Sequence, residues 1–333
     1  MTVAVLSAGT WGITLASLLH GKGTATRVWE FSPAVVAELT RTRRHPKLAD
    51  LAIPPDLPLS TDMDAVLAGA EWIVCVVPAA HLRDTCRRVA RAGYGGRRFV
   101  ICSKGIEQGT HALLADVALA ELGPGAAGRI GLLSGPSHAE EVSRGIPTAV
   151  TATAESLELA GEIRDLFTAP AFRIYTQTDL VGVELAAALK NVIAIACGIS
   201  DGLGFGDNSK AALITRGLSE IARLGAAMGA RPETFFGLAG MGDLVVTCMS
   251  RHSRNWQFGN RIGQGQSVAE ALAGVGMVVE GHYTARAAVE LAAEQGVDMP
   301  ISRAVADVLF EGLKPREAVM ALMLRDPKSE MER

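Results

Sequence analysis

Short apolar runs alternate with helically spaced ones through the first half of the chain. Runs of strand length cover Val3–Leu6, Thr26–Glu30, Trp72–Val77, Arg98–Ser103, Ile130–Ser134, Thr148–Ala152 and Phe172–Thr176. Between several of them, apolar residues spaced by three and four predict helices at Gly12–His20, Pro33–Thr40, His81–Ala92 and His111–Glu121. This β–α alternation predicts a parallel, doubly wound sheet. His45–Ser60 carries four prolines and little periodicity, which predicts a loop.

After Asp179 the strand pattern stops. Helical spacing continues in Ala211–Met228, Tyr283–Gln295 and Ile301–Phe310. The expected organisation is a doubly wound α/β domain over residues 1–179 and an all-α domain over 180–333. The charged tail Arg325–Arg333 is expected to fray. Between these regions, Leu180–Ser200 is nearly continuous apolar sequence interrupted by Lys190 and Asn191. It is long enough for a bilayer, but Glu184, Lys190 and Asn191 are costly in lipid. As a helix of a protein core it is buried nearly all round, and a lysine buried there must be paired, neutralised or functional.

Composition narrows the classes. The 333 residues are 49% hydrophobic and 20% charged, with a net charge of −3, as in an ordinary globular protein of two domains. Nothing in that charge favours nucleic acid or an anionic membrane, and few aromatic residues are present for base stacking. Cys75, Cys86, Cys102, Cys197 and Cys248 form no CxxC pair and no zinc spacing, and the histidines show no ligand spacing, so no metal is expected. Met1 leads directly into a strand-like run, and with this cysteine usage the expected compartment is the reducing cytoplasm.

The first strand runs into Ser7-Ala-Gly9-Thr10-Trp11-Gly12 and then a helical pattern, the context of a Rossmann-like dinucleotide loop. Gly9 admits a pyrophosphate close to the backbone, Gly12 permits close helix packing, and the helix start offers free N–H groups. Ser7 stands where the first glycine is expected, and serves if its backbone angles are ordinary. Glu30, at the end of the next strand, suits the adenosine ribose hydroxyls and opposes a 2′-phosphate.

Four further stretches offer chemistry. Lys104 follows a strand end, where ligands collect in open α/β sheets, although a surface lysine before a turn explains it equally well. Ser134-Gly135-Pro136-Ser137-His138-Ala139-Glu140 also follows a strand. Pro136 there suits a first helical turn, and Ser137 either caps it or helps to hold an anion. Asp243, flanked by glycine, is a partner for Lys190 or an ordinary turn residue. Ser253-Arg254-Asn255 has the groups for a phosphate.

Taken in order, these blocks resemble bacterial-type NAD(P)-dependent glycerol-3-phosphate dehydrogenases over essentially the whole chain. The resemblance is carried by Ser134–Glu140, Val183–Gly206, Thr215–Leu218, Gly240–Cys248, Ser253–Asn255 and Val278–Gly281. It implies reduction of dihydroxyacetone phosphate to sn-glycerol 3-phosphate for phospholipid synthesis. By the same resemblance Lys190 is the acid/base, Lys104 lies near substrate and nicotinamide, and Asn191, Asp243 and Thr247 are active-site polar residues. Gly135 and Ser137 touch substrate, while Ser253, Arg254 and Asn255 hold its phosphate. Thr10, Trp11, Ala139, Arg254, Val278 and Glu280 contact the cofactor. Phe31 stands where the family often has a cation, so Glu30–Phe31 implies NAD(H) in preference to NADP(H). The apolar second-domain helices are compatible with a homodimer and equally with a core. A related hydroxy-acid dehydrogenase and a non-catalytic dinucleotide sensor are the rival readings. The sensor would not need Lys190, Lys104 and Asp243 together.

Overall fold

Strands that are buried on both faces read as continuous apolar runs, as Val3–Leu6 and Trp72–Cys75 do here. A computed structural model describes residues 1–327, 329 and 330. Its ten strands are β1 (Thr2–Leu6), β2 (Ala25–Trp29), β3 (Arg44–His45), β4 (Leu48–Ala52), β5 (Leu59–Ser60), β6 (Trp72–Cys75), β7 (Arg98–Ile101), β8 (Ile130–Ser134), β9 (Thr148–Ala154) and β10 (Phe172–Gln177). Eight of them form one sheet in the order β10-β9-β8-β7-β6-β1-β2-β5. The order reverses beside β1, which makes the turn after β1 the switch point of the sheet.

Every strand predicted from the sequence is present within one or two residues at each end, and three features differ from expectation. The His45–Ser60 loop contains β4 and β5, and β3 overlaps its start; β3 and β4 form a separate antiparallel pair, and β5 pairs only Leu59–Ser60 with Val28–Trp29. β3 and β5 have two residues each and β4 is mostly exposed, so none leaves a readable period. The sheet is not wholly parallel, because β9 runs antiparallel to β8. The connection between them holds only the one-turn helix Ala139–Val142, not a full crossover helix. Pro136 is not in that helix, whose N-cap is His138, and Ser137 donates instead to the Gly135 carbonyl at 3.0 Å.

The chain divides into two compact units. The first comprises Met1–Ser103 and Leu114–Leu180; the second comprises Lys104–Leu113 and the chain from Val181 onward. Packing therefore assigns Lys104–Leu113 to the helical unit, not to the 1–179 domain expected from sequence. Ile106 and Leu113 bridge to each other and are buried in the helical core. His111 has a φ of +56°, which no helix accommodates, so the predicted helix begins at Leu114 instead. The expected fraying of Arg325–Arg333 falls partly on residues outside those described, Lys328 and 331–333; Arg325 itself pairs with Asp298 at 2.6 Å.

The helical unit is built around Leu180–Gly202, in which every residue from Gly182 to Ser200 is buried. It is long and apolar enough to cross a bilayer, yet 89% of its most apolar stretch is buried inside the protein. Beside it lies helix Arg254–Gly263. A Cβ on Gly198 would meet the Trp256 carbonyl oxygen at 2.2 Å, and one on Gly259 would meet the Ile195 oxygen at 2.2 Å. Gly202 and Gly263 make the same approach one turn later. Contacts advance in the same direction on both helices, so they run parallel with their backbones almost touching. Only glycine permits this, and it sets the register of the residues just before the crossing.

Candidate active site

Those residues are Lys190 and Asn191 on one helix and Ser253–Asn255 on the other. Lys190 is 5% exposed. Its Nζ donates to Thr247 Oγ1 at 2.7 Å and lies 3.1 Å from Asp243 Oδ1. The other carboxylate oxygen, Oδ2, accepts from Lys104 Nζ at 2.7 Å. One buried aspartate thus bridges two lysines. Thr247 Oγ1 in turn donates to the Asp243 carbonyl at 2.6 Å, one turn back on helix Asp243–Met249. That bond orients its lone pair toward Lys190.

The electrostatics follow from this arrangement. Burial pushes the Lys190 ammonium down to about 8, against the upward pull of Asp243, and the charge of Lys104 adds to the lowering. Burial alone would raise Asp243, but Lys104 and Lys190 outweigh it and hold the carboxyl below its usual range. Lys190 is therefore protonated near neutrality and able to titrate just above it, as a proton donor and acceptor must. Its side chain keeps one shared acceptor in the threonine and one counter-charge in the aspartate.

A second chain of contacts lies alongside. Asn255 Nδ2 donates to Asn191 Oδ1 at 2.9 Å, and the Gly281 amide donates to Asn255 Oδ1 at 2.9 Å. Gly281 was not singled out as a site residue, although it closes the Val278–Gly281 block. A Cβ there would meet the Asn191 carbonyl oxygen at 2.6 Å. Ser253 caps helix Arg254–Gly263 by accepting from the Trp256 amide at 3.2 Å. Arg254 donates Nη1 to the Val278 carbonyl at 2.9 Å, which fixes the segment leading to Glu280 at the start of helix Glu280–Glu294. Lys104, Lys190, Asn191, Asp243, Thr247, Ser253, Arg254, Asn255, Val278 and Glu280 all belong to the helical unit.

The remaining candidates belong to the sheet unit. Gly9 is the N-cap of helix Thr10–Gly21, so Thr10, Trp11 and Gly12 form its first turn. A Cβ on Gly12 would strike the Ser7 carbonyl oxygen at 2.1 Å, so this turn takes only glycine at that position. The Trp11 ring packs edge-on to Phe172 at 6.2 Å between centroids. Ser7 does not have ordinary backbone angles: its φ is +110°, a region that favours glycine. Holding serine there costs on the order of 1–3 kcal/mol. Glu30 is buried, with Oε2 accepting from the Ala8 amide at 2.9 Å. Phe31 is 74% exposed. At the end of β8, Gly135 has a φ of +145° and lies against Val150, and Ala139 is buried. The glycine-lined turn with its helix start fits a dinucleotide pyrophosphate.

Comparison with known proteins agrees with this layout. The family model described as NAD-dependent glycerol-3-phosphate dehydrogenase N-terminus matches residues 2–160, and its C-terminal counterpart matches residues 179–320. The chain belongs to the NAD-dependent glycerol-3-phosphate dehydrogenase family. A glycerol-3-phosphate dehydrogenase [NAD(P)+] of Prosthecochloris aestuarii is 47% identical over 99% of this chain and 100% of its own. One from Geobacter metallireducens is 48% identical over 98% of each. The crystal structure of the Coxiella burnetii glycerol-3-phosphate dehydrogenase matches with a TM-score of 0.92 at 36% identity, covering 97% of this chain and 99% of that one. Membership of this family makes the protein an NAD(P)-dependent oxidoreductase acting on a CH–OH group.

Proposed function

We propose that the protein interconverts dihydroxyacetone phosphate and sn-glycerol 3-phosphate with Lys190 as the general acid/base. The observation that supports this most is the buried Lys190–Asp243–Lys104 cluster, with Lys190 held at about 8. When bound, a dihydronicotinamide supplies the hydride. Negative charge then develops on the substrate oxygen, and Lys190 Nζ stabilises it and donates its proton. Asp243 keeps Lys190 charged until that moment, and Thr247 holds its Nζ in one direction. In the reverse direction neutral Lys190 accepts the hydroxyl proton. Lys104 supplies a second cation at the same carboxylate and favours an anionic oxygen nearby.

Ser253, Arg254 and Asn255 are the phosphate anchor in this reading, so that binding energy far from the reacting carbon orients it. Arg254 donates Nη1 to the Val278 carbonyl, and a guanidinium offers further N–H groups suited to a phosphate. Gly135 and Ser137 complete the substrate contacts. On the cofactor side, Glu30 with Phe31 adds an anion and no cation where a 2′-phosphate would lie, which favours NADH over NADPH. The product is the backbone of glycerophospholipids, and the cytoplasm is where such a reaction is expected.

The test is turnover by the purified protein with NADH or NADPH and a panel of small ketones. The expected result is NADH oxidation with dihydroxyacetone phosphate and formation of equimolar sn-glycerol 3-phosphate. Faster turnover of a 2-keto acid would replace the phosphate reading of Arg254. Equal or better kcat/KM with NADPH would overturn the cofactor preference alone.

A further inference from the structure

The turn that joins β1 to its helix contains a serine in a conformation serine avoids, and the groups holding it there come from the end of β2. The Ser7 amide donates to the Trp29 carbonyl at 2.8 Å. The next amide, Ala8, donates to Glu30 Oε2 at 2.9 Å, and the other oxygen of that carboxylate accepts from the Ser32 amide at 3.3 Å. Glu30 is 6% exposed, so its carboxylate is committed to backbone donors and is not a freely solvated strand end. The Ser7 hydroxyl accepts from the Gly9 amide at 3.2 Å. On the far side the Ser7 carbonyl fills the space over Gly12.

We propose that Glu30 is a positioning residue for the dinucleotide, acting through the Ala8 amide to hold Ser7 at positive φ and keep the Ser7–Gly12 turn in its receiving shape. This reading depends on the family's dinucleotide use and not on a preference between NADH and NADPH. A strained residue persists only where its surroundings over-determine it. Without the carboxylate the Ala8 amide loses a buried acceptor, and Ser7 relaxes toward negative φ. Its carbonyl then swings against the first helical turn, and fewer molecules present the competent turn. Apparent affinity falls by that fraction for any dinucleotide, phosphorylated on the ribose or not. Glycine at position 7 has no such preference and needs no clamp. The effect of losing Glu30 therefore depends on what stands at position 7.

The experiment measures equilibrium Kd for NADH and NADPH, with thermal unfolding, on the full chain and on Glu30→Ala, Glu30→Gln, Ser7→Gly and the Ser7→Gly/Glu30→Ala pair. Glu30→Ala is expected to weaken both cofactors by about tenfold or more, as a drop of the competent turn to a tenth or less would. Glu30→Gln keeps one acceptor for the Ala8 amide and loses less. In the Ser7→Gly background most of the Glu30→Ala loss disappears. If Glu30→Ala does not fold, recovery of folding and NADH binding in the pair reports the same coupling, and failure to recover overturns it. Wild-type NADH affinity in Glu30→Ala, or an equal loss in both backgrounds, also overturns it. Cofactor preference is read separately, from the wild-type ratio of the two Kd values.

Discussion

Replacing Asp243 with asparagine keeps the shape of the site and removes the charge that Lys190 and Lys104 share. At 3.1 Å the Lys190–Asp243 attraction is roughly 5 kcal/mol with an effective dielectric near 20, an upper bound of ~4 pKa units. Relaxation and water beside the amide reduce this, so a downward shift of Lys190 between about one and four units is expected. Lys104 adds to the shift, because its charge is then unopposed at the same point. From a starting value of about 8, Lys190 would titrate at about 7 or below.

The assay is kcat/KM for dihydroxyacetone phosphate reduction across pH, which reports the acid of the free enzyme. Reduction requires protonated Lys190, so wild-type activity falls as pH rises through about 8, and oxidation of glycerol 3-phosphate rises through the same value. In Asp243→Asn the reductive limb moves to about pH 7 or lower, which alone makes the variant roughly fivefold slower at pH 8. Stability provides a second reading. Folded Lys190 lies below its unfolded value of 10.5, so the unfolded chain binds the extra proton between about 8 and 10.5 and stability rises with pH there. The rise totals roughly 3 kcal/mol in the wild type and begins at lower pH in the variant. An Asp243→Asn profile whose alkaline limb stays near pH 8 would refute the electrostatic account.

Two further outcomes test the frame of the site. Gly198→Ala places a Cβ 2.2 Å from the Trp256 carbonyl oxygen; separating the helices should cost about 1–3 kcal/mol or more in thermal unfolding and raise KM more than the Kd for NADH. His111 contacts Glu290 at 2.9 Å and Glu294 at 2.8 Å; burial alone lowers its pKa, but the two glutamates outweigh that and raise it. Its contribution is then fully present below the unfolded value of 6.5 and lost as pH rises through the raised folded value. His111→Ala should therefore destabilise at acidic pH, by at most about 1 kcal/mol given the half-exposed carboxylates, with the effect fading as pH rises through the raised folded value.

The sheet was legible because buried parallel strands carry their signature in four or more consecutive apolar residues, as in Val3–Leu6 and Trp72–Cys75. Leu59–Ser60 has no such length, and the antiparallel turn of β9 depends on a connection whose path no local pattern encodes. Lys190 was legible as an anomaly, a charge in a helix with no polar face. Its partners were legible only in part. Asp243 stood out beside its glycine, but Thr247 was marked only by the family resemblance, since by its own pattern it looks like any helical threonine until its one-turn bond to Asp243 is seen. The transfer of Lys104–Leu113 to the helical unit is a packing result of Ile106 and Leu113, and both fit a strand-to-helix connection equally well. Ser7 was visible as a departure from the glycine pattern, while its positive φ was not, and the acceptors of the Ser7 and Ala8 amides, Trp29 and Glu30, lie far along the chain.

Lys190→Ala tests the central claim most directly, with kcat for dihydroxyacetone phosphate reduction and the Kd for NADH measured on the same folded preparation. Loss of the proton donor at the developing oxyanion predicts a fall in kcat of about 10²–10⁴-fold with NADH affinity within a few-fold of wild type. A folded Lys190→Ala protein that turns over within a few-fold of wild type would contradict it.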